Sequence, residues 1–363
     1  MARRQPDRVP IDLGGTPLTG MRPGCEARLL EFLGFGAREE PAAGRGGGLD
    51  ERIMEWAGAD FRTVGYIADL PGPHSRKISP TARVNCWGVR SEVVEGEWQI
   101  TGSPLKGASL ADLRAFRWPE PRVDDSALEA WVARARQLHE DGRYVVVAGH
   151  PVYGILELGC WMCGYDDFLF RMAAEPDFVR AFFDKVLEIQ LAVIETYYRA
   201  LGPWIDLTTS GDDFGTQAGP LISPQMFEDL VAPCFSERVR RTREIGDCLY
   251  WHHSCGSVEK LLDRLVACGI DILNPVQTSA ADMDPKVLKE RYGDRVVFWG
   301  GVDVQQFLPR VSPEEVPAHV EELIEVLGRG GGYVMAPAHE IQDDVPAENI
   351  VAWIETAREP AGS

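Results

Sequence analysis

Cys248-Leu249-Tyr250-Trp251-His252-His253-Ser254-Cys255-Gly256 is the stretch on which the reading of the fold turns. An apolar run leads straight into two soft metal donors. Read as a strand, it points His253 and Cys255 to one face and His252 to the other. An imidazole and a thiolate on one face make half of a zinc site; the plainer alternative is one buried histidine and one buried cysteine in a core. Gly256 lets the backbone turn sharply into Ser257-Val258-Glu259-Lys260-Leu261-Leu262, which has helical spacing. A donor pair at the C-terminal end of a strand that feeds a helix is where barrel enzymes carry their chemistry.

The same rhythm extends both ways. Downstream, the expected strands are Ile270–Pro275, Val296–Gly301 and Gly332–Pro337, with helices opening at Asp284-Pro285, Ser312-Pro313 and Pro346. Upstream they are Ile205–Gly211, Tyr144–Gly149, Phe61–Ile67 and Arg8–Gly15. Helical patterns cover Cys25–Phe35, Asp125–Glu140, Asp166–Ala173, Pro176–Leu201 and Ser223–Ile245, and a glycine-rich loop covers Ala43–Gly48. Between about 71 and 121 the text is rich in Pro, Gly and Trp and alternates like a β-hairpin. The strands are apolar runs, which implies a parallel sheet buried on both faces. No phosphate fingerprint follows the first strand, as a doubly wound sheet would need. The expectation is an α/β protein: a single-domain (β/α)8 TIM barrel over 1–363 with an N-terminal β-hairpin excursion.

Composition narrows the function classes. The 363 residues are 45% hydrophobic and 26% charged, a globular balance, and the net charge of −19 argues against nucleic acid or an anionic membrane as partner. No run of 18 apolar residues offers a membrane span. The basic start Met1-Ala2-Arg3-Arg4 has no apolar region after it, so it does not read as a signal peptide. Eight scattered cysteines without a disulfide framework suit a reducing, cytoplasmic location.

Strand ends in a barrel converge on one mouth, so residues far apart in sequence can share a site. These ends deliver Asp12; Asp69; His150, Tyr153 and Glu157; Asp212 and Asp213; His253 and Cys255; Asn274 and Gln277; Asp303 and Gln305; His339 and Glu340. His253, Cys255 and His339 would be three ligands from two strands, the number an open catalytic zinc site uses. For Asp212 and Asp213 the alternative is capping a turn. Cys160-Trp161-Met162-Cys163 has CxxC spacing in an aromatic, helical context and reads as core packing.

Longer stretches are familiar. Gly211-Asp212-Asp213-Phe214-Gly215-Thr216-Gln217, Ile222-Ser223-Pro224, His253-Ser254-Cys255-Gly256-Ser257-Val258, Asp271-Ile272-Leu273-Asn274-Pro275-Val276-Gln277, Phe298-Trp299-Gly300-Gly301-Val302-Asp303 and Ala336-Pro337-Ala338-His339 resemble the uroporphyrinogen decarboxylase-like superfamily. The resemblance implies a (β/α)8 barrel and offers two branches. The decarboxylases hold their substrate's carboxylates with an arginine-rich signature after the first strand, where this chain has Ile11-Asp12-Leu13-Gly14-Gly15-Thr16-Pro17. The zinc-dependent corrinoid methyltransferases, of the methylcobamide and O-demethylase types, carry a His-x-Cys pair and a late third ligand, which His253-Ser254-Cys255 matches. Coenzyme M methyltransferases have cysteine where this chain has His339. One thiolate with two imidazoles leaves zinc about +1 rather than neutral, which favours pulling on a leaving group over activating a thiol.

The resemblance therefore implies a zinc-dependent methyltransferase that demethylates a small methoxy or methylamine-type donor. The methyl would pass to a corrinoid on a separate protein, since no corrinoid motif occurs in the chain. Asp212 or Glu157 would act as general acid. Asp12, Tyr153, Asp213, Asn274, Gln277, Trp299 and Asp303 would bind substrate, and a homodimer is one assembly open to it. The alternatives are a decarboxylase of the uroporphyrinogen type, which needs no metal, and a non-catalytic barrel that binds a small ligand.

Overall fold

The structure is a computed structural model and describes residues 5–38, 48–65 and 69–359. Met1–Arg4, most of the glycine-rich loop and the Tyr66-Ile67 end of the second expected strand lie outside these residues. The strands in chain order are β1 (Phe61–Val64), β2 (Arg76–Ser79), β3 (Ala82–Val84), β4 (Arg90–Val94), β5 (Glu97–Gly102), β6 (Val145–Ala148), β7 (Leu207–Gly211), β8 (Leu249–His253), β9 (Ile272–Val276), β10 (Val297–Val302) and β11 (Tyr333–Pro337). Seven of them form one parallel sheet in the order β1-β6-β7-β8-β9-β10-β11. Between successive strands from β6 onward the chain crosses back through helices, among them Pro176–Leu201, Ala232–Gly246, Glu259–Ala267, Pro285–Tyr292 and Val316–Gly328.

The sheet is curled and open, which corrects the expected closed eight-stranded barrel. The segment expected as the first strand supplies only one bridge, Ile11 to Met335. Asp12 N donates to Met335 O at 2.9 Å, Met335 N donates to Pro10 O at 2.9 Å, and Asp60 N donates to Ile11 O at 2.9 Å on the opposite side. Pro10 has no N–H to extend a ladder, and Gly14 turns the chain away at φ 77°. Ile11 thus spans the gap between β11 and β1 without building a strand there.

The excursion is also larger than the expected hairpin. β2 to β5 form a four-stranded antiparallel sheet, followed by the helix Leu110–Ala115. The β4–β5 turn is Glu95-Gly96, both at positive φ (53° and 87°), the conformation that a two-residue hairpin loop requires.

Strand alternation sorts the core. Phe61, Val147, Leu207, Trp251, Ile272, Val297, Trp299, Val334 and Ala336 form a cluster on the inner side of the curl. Outward neighbours such as Tyr250 and Leu273 join the layer between sheet and helices. Each large buried side chain contributes about 1.5–3 kcal/mol. Trp251 sits directly beneath His253, their rings 6.0 Å apart and 27° from parallel. The inner cluster is therefore the floor of the site.

Candidate metal centre

β8 ends at His253, and the chain continues through Ser254 and Cys255 to Gly256. Gly256 has φ 79°, and a Cβ there would lie 2.6 Å from Thr216 O, so the turn admits only glycine. His339 follows β11 two residues after its end. The ligand atoms of His253, Cys255 and His339 all lie within 4.8 Å of one another. His253 Nε2 is 3.2 Å from Cys255 Sγ, and the two imidazole centroids are 5.8 Å apart. His252 points the other way, with Nδ1 2.8 Å from Ser210 Oγ and its ring against Phe214 and Phe235.

The second nitrogen of His253 is held as well. Nδ1 lies 2.6 Å from Asn274 Oδ1, and Asn274 Nδ2 donates to Trp299 O at 3.4 Å. With the amide oriented by that carbonyl, Nδ1 carries the proton and Nε2 presents its lone pair to the cluster. Burial and the neighbouring His253 push His339 down to about 4, so it is neutral at physiological pH. Burial, then Asp213 and Glu157, push the Cys255 thiol far up. This donor set, one thiol and two imidazoles, can coordinate a metal ion.

The carboxylates divide by role. Asp213 Oδ1 accepts from Cys255 N at 2.7 Å and lies 3.8 Å from His253 Nε2. Asp212 is fully buried and accepts from three consecutive backbone N–H groups, Ile155 (2.8 Å), Leu156 (3.1 Å) and Glu157 (2.9 Å). It caps the helix Ile155–Cys163 from another strand, because that helix begins at Gly154, which has no capping side chain. A Cβ on Gly154 would lie 2.4 Å from the Asp212 carboxylate. Burial raises Asp212 to about 6 against the opposing pull of Arg238 and the three N–H groups. Glu157 sits in the first turn of the capped helix, half-buried. Burial, Asp213 and Asp212 together raise it well above the usual carboxylate range.

Other expected site residues are engaged by neighbouring groups. Asp12 accepts from Trp299 Nε1 (3.0 Å), Thr16 Oγ1 (2.8 Å) and Gly15 N (2.9 Å), and both Asp12 and Trp299 are fully buried in the floor. Burial raises Asp12 to about 6. Gln277 Oε1 accepts from Gly256 N at 2.8 Å and so fixes the turn after Cys255. Asp303 Oδ1 accepts from Gln305 N (2.7 Å) and Gln306 N (2.8 Å), holding its own loop. Tyr153 stands edge-on to Trp161, centroids 5.3 Å apart. Cys160 and Cys163 are buried in the core.

Two residues near the site escaped the sequence reading. Tyr165 follows Trp161 by four residues and is pushed up to about 12 by burial and by Glu157. The four-residue spacing of Trp161 and Tyr165 is the only sequence signal for it. Arg238, buried on the helix Ala232–Gly246, donates to Tyr153 O at 3.1 Å and faces Asp212 electrostatically. It reads from sequence as one arginine in a basic surface run.

The sequence model of the uroporphyrinogen decarboxylase (URO-D) family matches residues 92–360, the greater part of the chain and all three ligand candidates. The chain belongs to the uroporphyrinogen decarboxylase family. Among curated members, the uroporphyrinogen decarboxylase of Methylococcus capsulatus is 25% identical over 285 residues, 75% of each chain. That of Serratia proteamaculans is 32% identical over 101 residues, 28% of this chain and 27% of its own. Among solved structures, a methyltransferase from Methanosarcina mazei superposes with a TM-score of 0.63 at 20% identity, covering 97% of this chain and 94% of that one. At that identity the likeness is one of fold. No described helix is long and apolar enough to cross a membrane.

Proposed function

We propose that the chain is a zinc-dependent methyltransferase that demethylates a small methoxy or methylamine-type donor. The acceptor, taken from the family resemblance, is a corrinoid carried by a separate protein. The observation that carries the reading is the His253–Cys255–His339 cluster with the far nitrogen of His253 locked by Asn274. Three N and S ligands with an open side are the pattern of a catalytic zinc centre. Zinc held there would supply a Lewis acid of about +1 formal charge to the donor's heteroatom. The fold shared with the Methanosarcina methyltransferase supports the same reading.

The remaining work falls to this chain's own residues. Glu157, whose proton affinity burial and two neighbouring carboxylates raise, would give its proton to the departing heteroatom. Asp212 would act through Glu157, by fixing the helix that carries it. Asp213 would orient the donor beside His253, and Tyr153, Trp161 and Tyr165 would wall the mouth. Asn274, Gln277 and Asp303 would hold the ligand loops, and Asp12 with Trp299 would form the floor.

A decarboxylase of the uroporphyrinogen type is the second reading, and it draws its support from the family and from curated relatives that all bear that name. Against it stands the charge at the rim, where Arg22 is already paired with Glu97 and Glu340. Asp12 occupies the place of the arginine-rich signature.

Protein purified without chelators should contain about one zinc per chain, and Cys255→Ala should lose it. Metal-free wild-type protein, or equal zinc in the variant, sinks the methyltransferase reading. Release of CO2 from uroporphyrinogen would establish the other.

A further inference from the structure

The far side of β8 carries a second group of polar side chains, between the sheet and its helices. Arg238 is 1% exposed, and among the described residues it forms no ion pair with any carboxylate within 4.0 Å. Its Nη1 donates to Tyr153 O at 3.1 Å, but Nε and Nη2 have no partner. His252, which strand alternation turns away from His253, is fully buried, and its Nε2 has no partner either. Its Nδ1 lies 2.8 Å from Ser210 Oγ, whose hydroxyl proton has no other acceptor among the described residues. The hydroxyl therefore donates to Nδ1, which leaves the ring proton on Nε2. The two side chains meet over one ring, Phe235: the guanidinium carbon is 5.2 Å and the imidazole centroid 4.8 Å from its centre.

Three buried N–H groups on adjacent side chains thus lack an acceptor, beside one fixed positive charge. Buried polar groups are almost always hydrogen-bonded, and a buried cation without a contact partner is costly. Asp212 offsets the charge from a distance, but its oxygens already accept from three backbone N–H groups. One unpartnered acceptor adjoins the group, Gln190 Oε1, whose amide nitrogen shares Tyr153 O with Arg238. A single water bridging to it would accept from two of the three N–H groups at most and would leave the charge as it is.

An anion answers all three donors and the charge together. One guanidinium suits a monovalent ion. The rings of Phe214, Phe227 and Phe235 pack against one another with centroids 5.2, 6.1 and 6.5 Å apart, which favours a small, weakly hydrated ion over a carboxylate. We propose that Arg238 and His252 form an internal site for a monovalent anion of chloride's class behind β8. Arg238 also holds Tyr153 O, one residue before Gly154, where the helix Ile155–Cys163 is capped. The ion would therefore brace the wall of the mouth from behind. The site uses none of the metal-ligand candidates and does not depend on the reaction proposed above.

Thermal unfolding of the full chain in chloride and in gluconate, at equal ionic strength, tests it. Chloride should raise the wild-type midpoint saturably, by about 2 °C at about tenfold excess over its dissociation constant, and should leave Arg238→Met unmoved. A chloride held by metal at the ligand cluster would keep the shift in that variant and so overturn the proposal, as would a wild type indifferent to chloride. Wild-type crystals grown in bromide cover the case of a variant that does not fold. Anomalous scattering should place bromide within hydrogen-bonding distance of His252 Nε2 and of Arg238 Nε or Nη2. Bromide only at exposed side chains, or a water at that position, would also overturn it.

Discussion

His253 Nδ1 and Asn274 Oδ1 are 2.6 Å apart, joining the last residue of β8 to the middle of β9. This contact decides which imidazole nitrogen is free for a metal. Replacing Asn274 by Ala removes the acceptor and lets the ring rotate. Second-layer partners of this kind are worth about 10- to 100-fold in metal affinity. Asn274→Ala should weaken zinc by that factor in competition with a chromophoric chelator, and Asn274→Asp should weaken it less. Equal affinity in all three proteins would remove Asn274 from the centre.

The proton count on metal binding follows from the same cluster. His339 is already neutral near pH 7, since burial pushes it down to about 4, and the tautomer of His253 leaves Nε2 unprotonated. Cys255 is a thiol, held so by burial, Asp213 and Glu157. Zinc binding should release one proton, and affinity should rise about tenfold per pH unit. Calorimetry in buffers of different ionisation enthalpy reads this directly, and a release of two protons would contradict the assigned states.

Asp12 gives the stability curve a defined slope. Burial raises it in the folded chain from 3.8 to about 6. The folded state therefore binds more protons than the unfolded state between those values. Stability falls as pH rises through that window and is level above it, a loss of about 3 kcal/mol for a shift of this size. In Asp12→Asn the fall should shrink by a comparable amount, whatever the absolute cost of placing an amide among three donors. Urea unfolding of both proteins at pH 4.5 and pH 7 captures about 2 kcal/mol of that difference, and parallel curves would show that Asp12 is not the source.

Much of the fold is written in period and punctuation. Apolar runs located seven parallel strands within a few residues, because strands buried on both faces leave little else to read. The eighth failed at Pro10 and Gly14, where an apolar pattern survives but the hydrogen bonds of a ladder cannot. The ligand cluster was legible since alternation puts His253 and Cys255 on one side and the sheet brings His339 beside them. The partners of Asp212 and Asp12 were not. Both look like mouth carboxylates in sequence, yet a helix lacking its own cap and an indole N–H claim them. Such claims come from contacts 57 and 287 residues away, which no local pattern records.

Glu157 is the acid in the proposed reaction, and its charge state fixes a pH limb. Burial and the adjacent carboxylates raise it, so the protonated form persists above the usual carboxylate range and is lost as pH rises through the raised value. Demethylation should decline along that limb. Glu157→Gln should turn over about 10²- to 10⁴-fold more slowly, lose the limb, and keep its zinc. Retention of the limb in the variant would assign it to another group.

His339→Cys tests what the third ligand contributes. Cysteine there should still hold zinc, but two thiolates and one imidazole bring the formal charge from about +1 to zero. Metal charge supplies several kcal/mol to a departing anion, so donor demethylation should fall about tenfold or more. The proton release should rise from one to two, because a neutral imidazole has been exchanged for a thiol that must ionise. The two readouts separate a weakened Lewis acid from a lost metal. A variant that binds zinc, releases two protons and demethylates as fast as wild type would show that the charge on zinc does not limit the reaction.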